Sequence, residues 1–421
     1  MLTSSYERSN FLRLKILQIN EYYRNFGGAE TYLLDICKGL GEMGHEIVII
    51  SSREHAPIHV PGRKEYFIES SYGFRSTLKL KGIFEEIIKK EDPDIIHLHN
   101  TQYFISPIIV KYLLKVKPVV KTVHDTRLFC PGLGCKVIPA RDEVCCYPMG
   151  WRCFRKCCYT SLWSLNKYIL MTYDLRVTRK IDRILVSSSY MYNELVRNGF
   201  PEKNITVIPL YVDKANMPSI QRIEMKKGKN KSILYIGRLD ATKGVLHLIE
   251  CLSLLKSEEW QATIIGEGDM QDEAKAFVKR LGLDVRITFT GTLPGKEINK
   301  YLADSDIVVM PSMIPESFGL VGIEAMASGK PVVAFDAGGI REWLADGETG
   351  YLVERGDVRG MAERISRLLK NSSLAKRMGE KGKELVEKYY RRDIHLPGLL
   401  DVYQDVIKTR SNKVCLPCVR P

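Results

Sequence analysis

The feature that most constrains the fold is a repeated alternation of short apolar runs with segments of helical spacing. The runs Leu14–Ile19 and His45–Ser51 are almost entirely apolar, and a helical pattern lies between them over residues 29–44. Short apolar runs separated by helices are typical of parallel sheets that are covered on both faces. The sequence therefore predicts an α/β protein with doubly wound sheets.

The alternation stops in a polar, lysine-rich interval and then starts again. We predict a first Rossmann-like domain over residues 1–212, a linker over 213–230 and a second Rossmann-like domain over 231–392. The remaining segment, 393–421, is predicted to begin with a helix that returns to the first domain. Ligands of doubly wound sheets bind at the carboxyl ends of the strands, so the predicted site lies in the cleft between two facing domains.

Composition narrows the possible partners. The chain is 45% hydrophobic and 27% charged, and no stretch reaches the roughly 18 apolar residues of a membrane span. The N-terminus lacks the apolar core of a secretory signal, which favours the cytoplasm. The net charge of +13 favours an anionic partner: a phosphorylated ligand, an acidic membrane surface or nucleic acid. Nucleic acid is the weakest of these, because no aromatic and basic recognition motif is present.

Glycines follow the first predicted strand at the start of a helix. Gly27 and Gly28 open the segment G-G-A-E, and bare amide groups at a helix start can bind an anion. The dinucleotide fingerprint G-x-G-x-x-G and the phosphate loop G-x-x-x-x-G-K-[ST] are both absent. By itself this pair is as well explained by an ordinary turn.

A second set of candidate ligand-binding residues follows the first two strands of the second domain. Gly237 is followed by Arg238 and Lys243, and two cations at the start of a helix can hold a diphosphate. Gly266 and Gly268 follow the next strand, where a turn can approach a nucleoside closely. A solvated loop and a tight helix entry are the alternative interpretations.

The stretch 315–335 carries two carboxylates around a glycine-started helix. A helix beginning near Gly319 would direct its first amide groups, from Phe318 to Leu320 onward, at an anion above the strand. Glu324 would lie inside this helix, where it can accept hydrogen bonds from a ribose diol. Glu316 would lie just before it, within reach of a neighbouring sugar. The pattern therefore indicates a nucleotide-sugar site.

Four segments together resemble the family 4 retaining glycosyltransferases. They are G-G-A-E, G-R-L-D-A-T-K-G, E-S-F-G-L-V-G-I-E-A-M-A-S-G-K-P-V-V-A and D-G-E-T-G-Y-L-V. The resemblance implies the GT-B fold, in which the second of two facing Rossmann-like domains holds a nucleotide-sugar and the first holds the acceptor. It implies a diphosphate clamp of Arg238 and Lys243, a ribose contact by Glu324, a donor-sugar contact by Glu316 and an active-site role for His124.

The resemblance also implies the remaining contacts and partners. Phe318, Gly319 and Leu320 would give backbone contacts to the donor, and Gly28 would approach the diphosphate from the opposite domain. The expected donor is a UDP- or GDP-sugar, and the expected acceptor is a glycan or a polyprenyl-linked or glycolipid molecule. No cofactor is expected for catalysis, and the protein is expected in the cytoplasm, with a peripheral position at the inner face of the membrane as an option. Alternatives are a nucleotide-sugar epimerase, a sugar phosphorylase or a non-enzymatic metal-bearing scaffold.

A cysteine-rich insertion is predicted in the first domain at about residues 126–160. Clustered thiols in a reducing compartment suggest a structural zinc site rather than disulfides. The alternatives are unpaired thiols, or disulfides in an oxidising compartment. The candidate ligands are Cys130, Cys135, Cys145, Cys146, Cys153 and Cys157.

Two further segments of the sequence have more than one interpretation. His97 and His99 alternate on a predicted strand and are interpreted as packing residues, with His99 the better candidate for exposure to the cleft. The segment Leu162–Tyr173 is apolar and aromatic, so it could touch a membrane, although a buried core helix is the favoured interpretation.

Overall fold

The computed structural model describes residues 13–23, 27–53, 63–69, 74–102, 104–131, 136–138, 143–155, 162–213, 231–255 and 258–414. These residues form two separate parallel sheets with helices on both faces. The predicted α/β architecture with two parallel sheets is therefore confirmed. The predicted linker, apart from residue 213, lies outside the described residues.

The described residues of the N-terminal half contain nine strands, of which seven form one sheet in the order β3-β2-β1-β4-β5-β8-β9. All neighbours in this sheet are parallel, whereas β6 and β7 pair only with each other, in antiparallel fashion. The strands are β1 (Lys15–Ile19), β2 (Glu46–Ser52), β3 (Lys64–Ile68), β4 (Ile95–Leu98), β5 (Val119–Thr122), β6 (Val137–Ile138), β7 (Glu143–Val144), β8 (Arg183–Val186) and β9 (Ile205–Val207).

Six helices accompany these strands. They are α1 (Gly28–Glu42), α2 (Phe74–Glu91), α3 (Pro107–Val116), α4 (Arg152–Arg155), α5 (Leu162–Thr178) and α6 (Ser189–Arg197). Alternate residues of β1 enter different cores, with Leu17 and Ile19 on one face of the sheet and Ile16 on the other. A strand with both faces buried has to be apolar along its whole length, which explains the apolar runs of the sequence.

The C-terminal half repeats this design. Its sheet has the order β12-β11-β10-β13-β14-β15, again with all neighbours parallel. The strands are β10 (Lys231–Ile236), β11 (Trp260–Ile265), β12 (Ile287–Gly291), β13 (Ile307–Met310), β14 (Val332–Phe335) and β15 (Gly350–Val353). The helices are α7 (Val245–Ser253), α8 (Gln271–Arg280), α9 (Gly295–Asp304), α10 (Leu320–Ala327), α11 (Val358–Lys370), α12 (Ser372–Tyr389) and α13 (Arg392–Val414).

Strand order determines where a ligand can bind. In each sheet the first strand of its half, β1 or β10, lies between strands that lead in opposite directions across the sheet. The crevice outside the carboxyl ends of strands at such a point is the usual ligand site of doubly wound folds. The chain after β1 enters α1 at Gly28, and the chain after β13 leads to Glu316 and α10.

The last helix, α13, belongs by packing to the N-terminal half. Leu396, Leu399, Leu400 and Tyr403 share an apolar core with residues of α1. A Cβ built on Gly39 of α1 would lie 2.3 Å from Leu396 Cδ1, so the glycine allows close approach of the two helices. The chain therefore crosses between the halves twice.

The close packing of α10 and α12 depends on a second glycine. A Cβ built on Gly379 of α12 would lie 1.9 Å from the carbonyl oxygen of Gly329, which follows the end of α10. Because that atom belongs to the backbone, a larger residue could be accommodated only if the helices moved apart. The position of α10, which carries Glu324, is thus fixed in part by Gly379.

We expect Gly379→Ala to destabilise the protein by about 1–3 kcal/mol, because overpacking displaces a backbone contact. Gly82→Ala is the matched control, since Gly82 also lies inside a helix and a Cβ there would meet nothing within 4 Å. Alanine at that position should stabilise by roughly 0.5–1 kcal/mol through helix propensity. Urea denaturation of both variants measures the difference, and equal effects of the two substitutions would contradict the packing argument.

Candidate active site

Glu316 lies at the carboxyl edge of the second sheet and pairs with a lysine. Its Oε1 accepts hydrogen bonds from Lys243 Nζ and Ser312 Oγ, each at 2.5 Å. Burial by itself raises the pKa of Glu316, but the charge of Lys243 and the two hydrogen bonds outweigh it and hold the pKa below its ordinary value. Glu316 is therefore a permanent anion at neutral pH, paired with a cation.

Lys243 is positioned by a tight turn after β10. Asp240 Oδ1 accepts hydrogen bonds from the amides of Thr242 and Lys243, which caps the short 3-10 turn Ala241–Lys243. The next residue, Gly244, has φ +71, and a Cβ there would lie 1.9 Å from the carbonyl oxygen of Pro311. The glycine thus lets the loop after β10 lie against the loop after β13, so that Lys243 reaches Glu316.

Arg238 completes the cationic side of the site. Its side chain is 70% exposed, and its Nη2 lies 3.2 Å from Asp240 Oδ2. An exposed guanidinium with one carboxylate partner keeps further N–H donors for an anionic ligand. Arg238 and Lys243 flank Asp240, as the sequence predicted for a pair of cations at the start of a helix.

Helix α10 begins at Leu320, directly after Gly319, whose φ is +91. Phe318 is fully buried, and its carbonyl accepts a hydrogen bond from Trp343 Nε1 at 2.6 Å, so its contact with a donor stays a prediction. A Cβ built on Gly322 would lie 1.9 Å from the Trp343 ring. Trp343 therefore packs against the first turn of α10. Sequence reasoning missed this residue.

Glu324 lies in the second turn of α10. Burial raises its pKa above the ordinary value, in contrast to Glu316. Within the part of the chain that the structure describes, its carboxylate has no hydrogen-bond partner. The side chain is half-buried, so its oxygens are partly removed from water and are suited to accept hydrogen bonds from a ligand.

The N-terminal half faces this helix with Gly28. A Cβ built on Gly28, the first residue of α1, would lie 3.5 Å from Leu320 Cδ1. Gly27 precedes the helix in an extended conformation and has no capping side chain. The amino-terminal ends of α1 and α10 thus meet across the cleft, and both direct unpaired amide groups toward it.

Direct hydrogen bonds join the two halves beside the cleft. Ser187 Oγ and Ser188 Oγ donate to the carbonyl of Ser317 at 3.1 and 2.6 Å. Glu342 Oε1 accepts from the amide of Ser189 at 2.8 Å, at the start of α6. Sequence reasoning missed these contacts, because nothing local in S-S-S-Y distinguishes them from an ordinary helix cap.

His124 follows β5 on the N-terminal side. Its Nε2 lies 3.1 Å from His99 Nδ1, and the two rings are stacked. Burial lowers the pKa of His124 to about 4, so the ring is neutral at pH 7. His97 and His99 are both buried, which agrees with their interpretation as packing residues, and His99 is not exposed to the cleft.

The remaining predicted glycines have packing explanations. Gly266 has φ +131, and a Cβ there would lie 2.0 Å from the carbonyl oxygen of Gly237. A Cβ on Gly268 would lie 2.3 Å from the carbonyl oxygen of Leu239. These glycines let the loops after β10 and β11 lie against each other, and their contact with a donor stays a prediction.

The cysteine-bearing segment is only partly described. Cys130 and Cys153 are buried, Cys145 is half-buried and Cys146 is exposed. Cys135 and Cys157 lie outside the described residues. Among the residues that are described, no three His, Cys, Asp or Glu side chains lie close enough together to hold a metal ion, so zinc stays a prediction without support here.

A buried ion pair anchors the described part of this segment. Lys136 Nζ lies 2.8 Å from Glu194 of α6, with both side chains almost fully buried. Lys136 Nζ also donates to the carbonyl of Tyr147 at 2.7 Å. Sequence reasoning missed this pair, because Lys136 and Glu194 are far apart in the chain and no local pattern links them.

Known proteins share both halves of this arrangement. The Glycosyltransferase Family 4 model matches residues 26–216, and the glycosyl transferases group 1 model matches residues 216–385. N-acetyl-alpha-D-glucosaminyl L-malate synthase of Bacillus anthracis is 26% identical over 408 residues, which cover 93% of this chain and 97% of that protein. Phosphatidyl-myo-inositol mannosyltransferase of Mycobacterium leprae is 33% identical over 185 residues, covering 43% and 49%.

The fold is also found among solved structures. HepE of Anabaena, crystallised in complex with UDP and glucose, superimposes with a TM-score of 0.69 at 21% identity, over 95% of this chain and all of that one. Together with the two family models, which adjoin at residue 216 and cover both sheets, this identifies the architecture as GT-B. The chain belongs to the glycosyltransferases that combine a Family 4 domain with a group 1 domain.

Proposed function

We propose that this glycosyltransferase moves a hexose from a UDP- or GDP-sugar to a glycan or a lipid-linked acceptor, with retention of configuration. The observation that carries the proposal is the convergence of Arg238, Lys243 and the amino-terminal end of α10 on one cleft. Two cations and a helix start form a site for a diphosphate. The relatives named above act on sugars, and HepE was crystallised with UDP and glucose, which supports this choice of donor.

The proposed chemistry needs stabilisation of a leaving group. The bond between the anomeric carbon and the diphosphate oxygen breaks, and the acceptor oxygen forms a new bond to that carbon on the same face. The acceptor proton passes to the departing diphosphate oxygen, so the step balances without a separate base. Arg238, Lys243 and the amide groups of α10 stabilise the negative charge that develops on the diphosphate. We therefore propose that no divalent metal ion is required.

Glu316 and Glu324 have different roles in this proposal. Glu316 orients Lys243 and, as a permanent anion, stabilises the positive charge that develops on the sugar ring. Glu324 accepts hydrogen bonds from the ribose hydroxyls. Because both acids lie on the C-terminal side, the donor binds mainly to that half, and the N-terminal half presents the acceptor.

Glu316→Gln should reduce transfer by about 10²-fold or more, because it removes charge stabilisation specific to the transition state. UDP binding, measured by calorimetry, should change little, since Arg238 and the amides of α10 remain. Transfer is followed by chromatography with a panel of UDP- and GDP-sugars, and NMR of the product reports the anomeric configuration. Glu297→Gln, in the first turn of α9, is the matched control.

Three outcomes would contradict the proposal. Unchanged turnover of Glu316→Gln would remove the role assigned to Glu316. An inverted product would overturn retention, and loss of activity in EDTA would overturn independence from metal ions. Conversion of the donor to another nucleotide-sugar, with no transfer, would identify an epimerase instead.

The raised pKa of Glu324 predicts a pH dependence of nucleotide binding. A raised pKa means that Glu324 takes up a proton at a higher pH than an ordinary glutamic acid, whereas Glu316, with its lowered pKa, stays charged. UDP affinity should therefore decline as the pH falls from neutral into the acid range, and at a higher pH than an ordinary glutamic acid would cause, since the protonated acid is a weaker acceptor. Glu324→Gln should bind UDP more weakly at the upper end of this range and lose this component of the pH dependence.

The Glu324→Gln variant serves as the control for the pH dependence of the wild type. UDP itself titrates in this range, so the difference between the wild-type and Glu324→Gln profiles isolates the contribution of the protein. Parallel profiles would show that Glu324 does not contact the nucleotide.

We further propose that the N-terminal half rests on an anionic membrane surface. Leu165, Ile169 and Leu170 are exposed on one face of α5, by 42%, 57% and 66%. Trp151 is 70% exposed and stacks on Phe154, which in turn contacts Tyr168 of α5, so these side chains form one apolar patch. The interpretation of this segment as a buried core helix is therefore wrong for its outward face.

Charge and position favour a membrane as the partner of this patch. Arg152 and Arg176 are exposed beside it, and the chain carries a net charge of +13, which suits anionic lipid. Helix α5 also contacts the short turn Thr126–Leu128 that follows His124, so the patch adjoins the cleft. In the described residues, no helix is long and apolar enough to cross a bilayer. The proposed contact is thus peripheral, and it would bring a lipid-linked acceptor near the cleft.

Replacing Trp151, Ile169 and Leu170 by serine should weaken binding to vesicles of phosphatidylglycerol and phosphatidylcholine by roughly tenfold or more, because exposed apolar area no longer enters the bilayer. Cosedimentation measures the effect. Val285→Ser is the control, since Val285 is 81% exposed in the other half. Equal binding of the triple variant and the wild type, or no preference for anionic vesicles, would rule out this surface.

A further inference from the structure

Three buried histidines, His97, His99 and His395, and the half-buried His124 belong to one hydrogen-bonded group below the cleft. A neutral imidazole has one nitrogen that donates and one that accepts. Burial lowers the pKa of all four rings, and the pKa values of His124 and His395 fall to about 4. Each ring is therefore neutral at pH 7, and fixing the direction of one hydrogen bond fixes the next.

One hydrogen bond of this group has a donor and an acceptor that can be assigned with certainty. His395 Nδ1 lies 2.8 Å from the carbonyl oxygen of Pro209, which can only accept. His395 Nδ1 therefore carries the proton, and its Nε2 is an acceptor. Tyr32 O–H lies 2.9 Å from that Nε2 and must donate to it.

The donor and acceptor of the next two hydrogen bonds, from Tyr32 to Thr122 and from Thr122 to His97, follow from this assignment. Tyr32 has one hydroxyl proton, which it gives to His395, so in its contact with Thr122 it is the acceptor. Thr122 in turn has no second proton to give. His97 Nε2, 2.7 Å from Thr122 Oγ1, must therefore be the donor.

The same reasoning continues through α13 and β1. His97 Nδ1 accepts from Tyr403 O–H at 2.6 Å. The Tyr403 oxygen then accepts from Gln18 Nε2 over a long contact of 3.5 Å. This orientation of the amide turns Gln18 Oε1 toward His99 Nε2, which donates to it at 2.8 Å.

The last step reaches the cleft. His99 Nδ1 is now an acceptor, and His124 Nε2 donates to it at 3.1 Å. The lone pair of His124 Nδ1 is left over, and among the described residues no atom is hydrogen-bonded to it. We infer that this one-way chain of hydrogen bonds fixes His124 in the tautomer whose Nδ1 is an acceptor, and that Gln18, His99 and Tyr403 are positioning residues for it.

The consequence for recognition rests on the proposed function. An acceptor nitrogen can bind a hydroxyl group of the transferred sugar or of the acceptor, but it cannot donate to an oxyanion. His124 would thus orient a hydroxyl in the cleft rather than stabilise the leaving diphosphate. Helix α13, which follows the donor domain in the chain, would take part in this selection from the opposite side of the N-terminal sheet.

The tautomers can be observed directly, without any activity assay. Long-range 1H–15N correlation spectra of protein labelled with 15N-histidine distinguish protonated from unprotonated ring nitrogens, and single His→Gln variants assign the signals. We expect Nε2–H and unprotonated Nδ1 on both His99 and His124 at pH 7. A His124 ring protonated on Nδ1, or on both nitrogens, would overturn the inference.

Variants test whether the chain sets the tautomer. Tyr403→Phe and Gln18→Leu break it at different points, and in each the His124 signals should shift toward a mixture of the two neutral forms. Gln18→Glu keeps an acceptor for His99 Nε2 and should retain the wild-type pattern. Tyr66→Phe, which removes a hydroxyl bonded to Glu91 away from the chain, is the matched control. His124 signals that are unchanged in Tyr403→Phe and Gln18→Leu would also overturn the inference.

Kinetics separate this inference from the proposed function. Gln18→Leu should lower kcat for transfer by roughly tenfold, the worth of about one hydrogen bond, without changing UDP affinity. Gln18→Glu should recover most of the loss. If no nucleotide-sugar is turned over by the wild type, the proposed function fails, while the spectra still decide the tautomer.

Discussion

The hydrogen bonds of Ser187 and Ser188 with the carbonyl of Ser317 hold the carboxyl edges of two parallel sheets face to face. Every feature of the site depends on this arrangement, because parallel strands deliver all their following loops to one edge. The loops after β10 and β13 bring Lys243 to Glu316, and the loop after β1 brings Gly28 to Leu320. Neither half contains the whole site, so the contact between them is part of the binding geometry.

Two glutamic acids eight positions apart show how the fold sets their chemistry. Both are half-buried, and their partial removal from water raises the pKa of each. Glu316 lies in a loop that places a lysine and a serine on one of its oxygens, whereas Glu324 lies on a helix whose neighbouring residues Ile323 and Ala325 are buried in an apolar core. The same residue type is therefore a fixed anion in one place and an unsatisfied acceptor in the other. This pairing of unlike carboxylates is what suits the cleft to a ligand with both charged and hydroxyl groups.

The sequence predicted what depends on local pattern. Apolar runs located the first two strands to within about one residue, Lys15–Ile19 within the predicted Leu14–Ile19 and Glu46–Ser52 against the predicted His45–Ser51, because a strand buried on both faces cannot contain many polar residues. Motif spacing likewise placed Arg238, Lys243, Glu316 and Glu324 near strand ends. Contacts between distant segments have no such signature. Trp343 under Gly322, Lys136 with Glu194, and Tyr403 with His97 are set by tertiary packing, and the outward face of α5 was misjudged because its composition resembles that of a core helix.

The hydrogen-bond chain of the histidines depends on the return of α13 to the N-terminal half. The two passages of the main chain between the halves lie side by side, where the amide of Val212 donates to the carbonyl of Tyr390 at 2.9 Å. Every residue of the hydrogen-bond chain, from Pro209 and His395 to His124, packs in the N-terminal half of the protein. The hydrogen-bond chain therefore lies within the N-terminal half and needs no contact from the C-terminal half. His124 is held in one tautomer by its own half of the protein, and such preorganisation removes a reorientation step from the reaction.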